Sequence, residues 1–195
     1  MGNSTVERVS GLEGYYHTGR FGANPEATPG IVLQEINQLT LWQVAVWPEA
    51  FAEVAKRIAT DCGAKAAPKP GQSVVGKKGI VLRAEPLKFW VLGMTASELN
   101  LETEGCIVDQ SHSRTRIRVS GDDAVTLLNR HLPLDLRDDA FPVGAVGSTA
   151  FHHIGITLWR NEDGYDIFMP RGFALSLWEL LTHSAEQFGL ETLPV

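Results

Sequence analysis

The stretch RTRIRVS, residues 114–120, alternates arginine with a β-branched residue over its first six positions. A repeat of two is the repeat of a β-strand, whose successive side chains leave on opposite faces. Thr115, Ile117 and Val119 therefore share one face, and Arg114, Arg116 and Arg118 share the other. The first face is expected to lie beneath a helix. The second forms a basic stripe on a chain of formal net charge −6. Three uses of that stripe stay open: a solvated sheet face paired with cross-strand carboxylates, a docking surface for an acidic partner, or a seat for a phosphate or carboxylate ligand.

Other strand and helix patterns set the class. IVLQEI (31–36) and LTLWQVAVW (39–47) read as two strands joined by the polar Asn37 and Gln38. PEAFAEVAKRIATDCG (48–63) reads as a helix with Pro48 in its first turn, apolar residues at 3–4 spacing and Gly63 as its stop. A Pro/Gly/Lys-rich connector leads to the strands IVLRA (80–84) and LKFWVLG (87–93). The order then repeats. CIVD (106–109) and RTRIRVS precede a helix over 122–132, capped by Ser120 or Asp122. A loop over 133–147 follows, then a long strand STAFHHIGITLWR (148–160), a turn NEDG, a strand YDIFMP (165–170) and a closing helix that stops at Gly189. Two ββαββ-type halves, about 29–105 and 106–195, predict an α+β fold of ferredoxin-like topology, with antiparallel sheet covered by helices. Residues 1–28 show no period and carry Tyr15, Tyr16 and Phe21, so they are expected to form either an arm lying across another protein or a flexible terminal tail.

Composition narrows the partners. With 195 residues, 44% of them hydrophobic, the chain is long enough to bury a sizeable core. An acidic balance argues against nucleic acid and against an anionic membrane surface. No apolar run approaches the roughly 20 residues of a membrane span, and the first residues lack the features of a secretory leader. MGNSTV fits the loose myristoylation pattern at Gly2. Cys62 and Cys106 make neither a disulfide framework nor a zinc set, and both are expected to be small buried residues in a reducing cytoplasm.

The candidate chemistry is sparse. Asp109, Ser111 and His112 supply the residue types of a serine triad, but neighbours on a strand diverge and no G-x-S-x-G turn is present. His152 and His153, on one strand, point to opposite faces without a completing ligand; His152 is expected to be buried and hydrogen-bonded. No phosphate-cradling or dinucleotide-binding glycine motif occurs, and GKKG is too short to act as one. No catalytic, cofactor-binding or metal-binding residue is therefore assigned. The five tryptophans, Trp42, Trp47, Trp90, Trp159 and Trp178, are divided between core and interface anchors.

The ordered runs DQSHSRTRIRVSG, LLNRHLPLDLRDDAFPVGAVGSTAFHHIGITLWR and YDIFMPRGFALSLWELL, with LWQVAVWPEAFAEVA and EPLKFWVLG before them, resemble the gamma subunit family of heterotetrameric sarcosine oxidase. The resemblance spans residues 30–190. It implies a fold related to the folate-binding domain of aminomethyltransferases. It also implies a non-catalytic structural subunit of a flavoprotein complex that oxidatively demethylates sarcosine to glycine, with oxygen and tetrahydrofolate as co-reactants. FAD, FMN, NAD, tetrahydrofolate and zinc would then sit on the alpha, beta and delta partner subunits, and this chain would bind none. The same resemblance admits the small subunit of an N-methylglutamate dehydrogenase complex; an independent folate-binding protein is the reading from another class. In this light Asp109, Ser111 and His112 become residues that satisfy local backbone groups. Tyr15, Tyr16, Phe21, Arg114, Arg116, Arg118 and Arg171 become the candidate partner contacts.

Overall fold

A computed structural model describes residues 9–22, 26–99 and 101–195. Twelve strands and three α-helices are formed by the described residues. In chain order they are β1 (Gly19–Phe21), β2 (Ile31–Glu35), β3 (Leu41–Val46), α1 (Phe51–Asp61), β4 (Gln72–Val75), β5 (Ile80–Glu85), β6 (Lys88–Leu92), β7 (Gly105–Asp109), β8 (Arg114–Ser120), α2 (Ala124–Leu128), β9 (Val146–Phe151), β10 (Ile154–Asn161), β11 (Gly164–Pro170), α3 (Ala174–Ala185) and β12 (Leu190–Thr192). They make a seven-stranded sheet, β1-β12-β2-β8-β11-β10-β9, and a five-stranded sheet, β4-β5-β6-β3-β7. The fold is α+β, and all pairings are antiparallel except β12 with β2.

The period-two strands place the layers. In β8, Thr115, Ile117 and Val119 are buried, and Ile117 and Val119 join the core formed with Leu127 and Leu128 of α2 and with Leu177, Trp178 and Leu181 of α3. In β3, β5 and β6, Val44, Val46, Val81, Phe89 and Val91 face Val54, Ala55 and Ile58 of α1. The other faces of the two sheets meet through Leu39, Leu41, Leu82, Leu92, Val146, Trp159 and Phe168. The order of layers is therefore helix, small sheet, large sheet, helices. Helix α1 begins behind a short 3₁₀ turn at Pro48–Ala50 and ends at Gly63, whose φ of 74° closes the helix at little steric cost.

Two connections cross between the halves read from the sequence. β2 and β3 are no hairpin: β2 pairs with β8 and β12 in the large sheet, while β3 pairs with β6 and β7 in the small one. β7, from the second half, completes the first half's sheet. Periodicity identifies strands but carries no information about which neighbour a strand chooses. β4 forms within the supposed connector and β12 after the last helix. The long strand over 148–160 is two strands folded at His152, whose φ is 53°. Helix α2 is only five residues, and neither Ser120 nor Asp122 caps it; its N-cap is Asp123 with no side-chain cap bond.

The expected arm is part of the fold where it is described. Leu12 is fully buried, β1 pairs with β12, and Tyr16 and Phe21 pack against the large core. The remaining arm residues, 1–8 and 23–25, lie outside the described residues, and with them the Gly2 pattern. No helix is long and apolar enough to cross a membrane among the described residues.

Candidate functional site

The arginine stripe of β8 points into the seam between the sheets rather than to open solvent. Its organiser is Asp166 on β11, which is in register with Arg118 and fully buried. Its Oδ2 accepts from Arg116 Nε at 3.0 Å and from Arg116 Nη2. Arg118 Nε donates to Oδ1 at 2.9 Å, and Arg118 Nη2 to Oδ2 at 3.3 Å. Asn161 Nδ2 adds a bond to Oδ2 at 2.9 Å. A carboxylate in so dry a place is tolerated because its lone pairs meet charged and amide donors. The guanidinium of Arg116 also lies 5.6 Å from the ring centre of Trp159 and 5.5 Å from that of Phe168. Hydrogen bonding to Asp166 raises the Arg118 pKa. Arg118 reaches outward only through Nη1, which donates to the exposed Asp163 at 2.7 Å.

Arg114, at the start of the same stripe, lies over the Trp90 ring at 5.6 Å, and its buried Nε finds no partner among the described residues. Two clefts open beside Arg116. One, about 350 Å³, is lined by Arg118, Trp159, Asn161, Asp163 and Val143; the other, about 470 Å³, by Asn37, Gln38, Lys78 and Gly79. The seam thus combines a held positive centre with aromatic walls. Most of its donors are already committed to Asp166. Of the three uses left open for the stripe, cross-strand carboxylate pairing accounts for the geometry of Arg116 and Arg118.

The other candidate contacts separate. Tyr15 is exposed, at 57%. Tyr16 stacks on Trp178 at 5.0 Å, donates its hydroxyl hydrogen to the Leu193 carbonyl at 2.6 Å and accepts from the Glu35 amide at 3.1 Å. Burial raises its pKa. Arg171 donates to the carbonyls of Val9 and Ser10 and so fastens the chain's own early segment. Tyr15, Phe21 and Trp178 line a groove of about 270 Å³ beside α3.

Asp109 and Ser111 satisfy backbone, as the resemblance implied. Asp109 Oδ1 accepts from the Ser111 amide at 2.8 Å, and Ser111 Oγ accepts from the Leu41 amide at 2.9 Å. His112 is exposed. His152 and His153 are both exposed at the tip of the β9–β10 hairpin, so the expectation of a buried His152 fails; the turn removes it from the strand face. Its Nε2 lies 3.4 Å from Nδ1 of His131, which stacks on Phe151 with ring centres 4.7 Å apart. Among the described residues no cluster of three His, Cys, Asp or Glu is placed to hold a metal. Cys62 is buried, whereas Cys106 is exposed because β7 is the last strand of its sheet.

Four tryptophans are tied into the fold: Trp42 Nε1 donates to the Met94 carbonyl, Trp90 to Gln43 and Trp159 to Ser73, and Trp178 stacks on Tyr16. Trp47 is 56% exposed. The only sequence sign that separates it is its place immediately before Pro48, between the end of a strand and a helix start.

No protein-family model and no curated protein matches the chain. Among solved structures it resembles a chain of the heterotetrameric sarcosine oxidase from Corynebacterium sp. U-96 in complex with pyrrole 2-carboxylate. The TM-score is 0.68 at 20% identity, over 83% of this chain and 87% of that one. It also resembles the glycine cleavage system aminomethyltransferase T from Bartonella henselae, with a TM-score of 0.60 at 17% identity over 85% of this chain and 48% of that one. The likeness is one of fold. The chain spans nearly the whole of the sarcosine oxidase chain and about half of the aminomethyltransferase.

Proposed function

We propose that this chain is a non-catalytic assembly subunit, of the gamma type, in a heterotetrameric sarcosine oxidase complex. The observation that carries this reading is extent: the fold runs end to end with one chain of such a heterotetramer, over 87% of its length. The commitment of Arg116 and Arg118 to Asp166 supports it, since these charged donors are used between neighbouring strands of the large sheet rather than left free for a substrate. In this reading the amine site and the FAD, FMN, NAD, tetrahydrofolate and zinc belong to alpha, beta and delta partners in the cytoplasm, and the chain contributes surface. The corresponding small subunit of an N-methylglutamate dehydrogenase complex fits the same surface, because the substrate pocket would lie on another polypeptide. Co-expression with the large subunits of such a complex tests the reading. A single species of subunit-sum mass that oxidises sarcosine supports it. An isolated chain that turns over an amine, or keeps a flavin through purification, ends it.

The aminomethyltransferase likeness favours one second reading, an independent folate-binding protein. Titrating the isolated chain with tetrahydrofolate separates the two. Saturable micromolar binding by this chain alone supports the second reading and counts against the first.

A further inference from the structure

Among the described residues the small sheet ends in a strand with no outer neighbour. β7 pairs with β3 on one side only. The direction of its backbone groups follows from two bonds that flank the ladder: the Gln110 amide donates to the Leu41 carbonyl, and the Trp47 amide to the Glu104 carbonyl. In an antiparallel ladder bonded and non-bonded pairs alternate. The pairs Gln43 with Val108 and Ala45 with Cys106 are therefore bonded, and Gly105, Ile107 and Asp109 turn their amides and carbonyls away from β3. The opposite edge of β3 agrees, since the Val46 amide bonds to Leu87 and the Thr40 carbonyl to Gly93 on the β6 side. No described residue hydrogen-bonds to the outward backbone groups of Gly105 or Ile107.

An exposed edge is a template for another strand, and proteins guard such edges with lysine, proline, bulges or covering loops. β7, GCIVD, has no lysine, no proline and no break in its register with β3. Gly105 keeps the pairing close: a Cβ there would lie 2.0 Å from the Ala45 carbonyl oxygen. The surface beside the edge is apolar. Val108 is 40% exposed, Cys106 is exposed on the same face, and Trp47 is in register just beyond the strand's start. By contrast the far edge of this sheet is partly covered, at Gln72 and Ser73. Gln72 of β4 bridges to Ala145, and the Ser73 amide bonds to the Gly144 carbonyl.

We propose that β7 is a docking edge completed by an extended strand of a partner polypeptide, apolar at alternate positions and flanked by lysine or arginine. Backbone bonds from Gly105 and Ile107 would give the attachment, and Val108, Cys106 and Ile107 would select the apolar side chains. Charge selects a foreign strand over a second copy. Glu102 and Glu104 precede β7 and Asp109 ends it, while Arg57 is bound to Glu104 at 3.0 Å. Self-pairing centred on Ile107 would set Asp109 of each copy opposite Gly105 of the other, next to Glu104. Both copies would also carry a net charge of −6. A strand with basic ends meets complementary charge in the same place.

The inference rests on the assembly-subunit reading for the identity of the partner, but its test does not. In the complex co-expressed with the large subunits, the Ile107 amide should exchange at least tenfold more slowly than in the isolated chain, and Cys106 should alkylate correspondingly slowly. Val108→Lys should weaken assembly tenfold or more while the isolated variant melts within a degree or two of the parent. A complex in which Ile107 exchanges and Cys106 alkylates as fast as in the free chain overturns the docking edge and leaves the subunit reading intact. Where no complex forms, the subunit reading fails, and the edge is tested with the peptide acetyl-Lys-Val-Thr-Val-Thr-Val-Lys-amide added to the isolated chain. Saturable slowing of Ile107 exchange, lost in Val108→Lys, sustains the edge; no change up to millimolar peptide overturns it. An isolated chain that is dimeric, and made monomeric by Val108→Lys, overturns the foreign strand in favour of a second copy.

Discussion

Replacing Asp166 with alanine is the sharpest test of what holds the arginine stripe of the large sheet in place. The carboxylate is fully buried and accepts from five N–H groups on three side chains. Its removal leaves Arg116, 12% exposed, without a carboxylate in a seam walled by Trp159 and Phe168, and leaves Arg118, 21% exposed, with Asp163 alone. Breaking a buried pair by deleting one partner costs roughly 3–5 kcal/mol, against about 0–1 for an exposed pair. Arg116 loses its carboxylate and Arg118 keeps only the exposed Asp163, so the middle of that range applies. For a chain of this size the loss corresponds to a fall in Tm on the order of 10 °C. Urea unfolding followed by far-UV circular dichroism reads it directly. Asp163→Ala is the internal comparison, because Asp163 is 68% exposed and its loss should cost under about 1 kcal/mol. The joint replacement Arg116→Met, Arg118→Leu, Asp166→Leu should recover most of the stability lost in Asp166→Ala. An Asp166→Ala protein within about 1 kcal/mol of the parent would mean that the arginines do not depend on this carboxylate, and would return them to the list of free docking groups.

Three further outcomes follow from single contacts. Tyr16→Phe removes the hydroxyl that links Glu35 to Leu193 and should lower the unfolding free energy by about 1–3 kcal/mol in the same urea assay; no loss would mean that the early segment is not fastened there. At pH 8 in native protein one thiol should react with a soluble alkylating reagent, Cys106, because burial pushes the Cys62 thiol up to about 11; mass spectrometry that finds Cys62 labelled first would contradict the packing. Burial foremost, then His152 and Arg130, lowers the His131 pKa below the ordinary 6.5, so the unfolded chain takes up the proton at higher pH than the folded one. Stability should therefore be complete above that value and decline as pH falls through it toward the folded pKa. His131→Phe, which keeps the stack on Phe151, should flatten the difference between urea curves at pH 7.5 and 5.5, and an unchanged difference would refute the assignment.

How much of this was legible depended on the range of the interaction. Alternation in RTRIRVS gave the strand and its two faces, and Pro48 and Gly63 bracketed a real helix, because these signals are local. The exchange of β2 and β7 between the sheets was not legible, since nothing within either strand encodes which partner lies across the ladder. Tyr16 and Phe21 looked unsupported because the residues that receive them, Trp178, Glu35 and Leu193, come many positions later. His152 went astray for the opposite reason. A tight turn with φ of 53° hides inside a run whose composition reads as continuous strand. Asp166 gave no signal of its own, as a single carboxylate in YDIFMP looks like one more alternating polar residue.

The fate of the arginine stripe also relocates the contact surface. Were Arg116 and Arg118 free, Arg116→Glu and Arg118→Glu would test docking by charge reversal. With Asp166 between them, the same changes place like charges against a buried carboxylate and disrupt the seam before any partner is met. Lost assembly in those variants would report unfolding, not docking. Contacts have to be sought where backbone or apolar surface is uncommitted. Tyr15 beside α3 is one such place, and the β7 edge with Val108 and Trp47 is another. Of the two, only the edge carries outward hydrogen-bonding groups with a fixed spacing, so it alone can set the register of a partner as well as attract one. In the proposed assembly that property would fix the orientation of the neighbours, which is why Val108→Lys is a more discriminating substitution than any change in the arginine stripe.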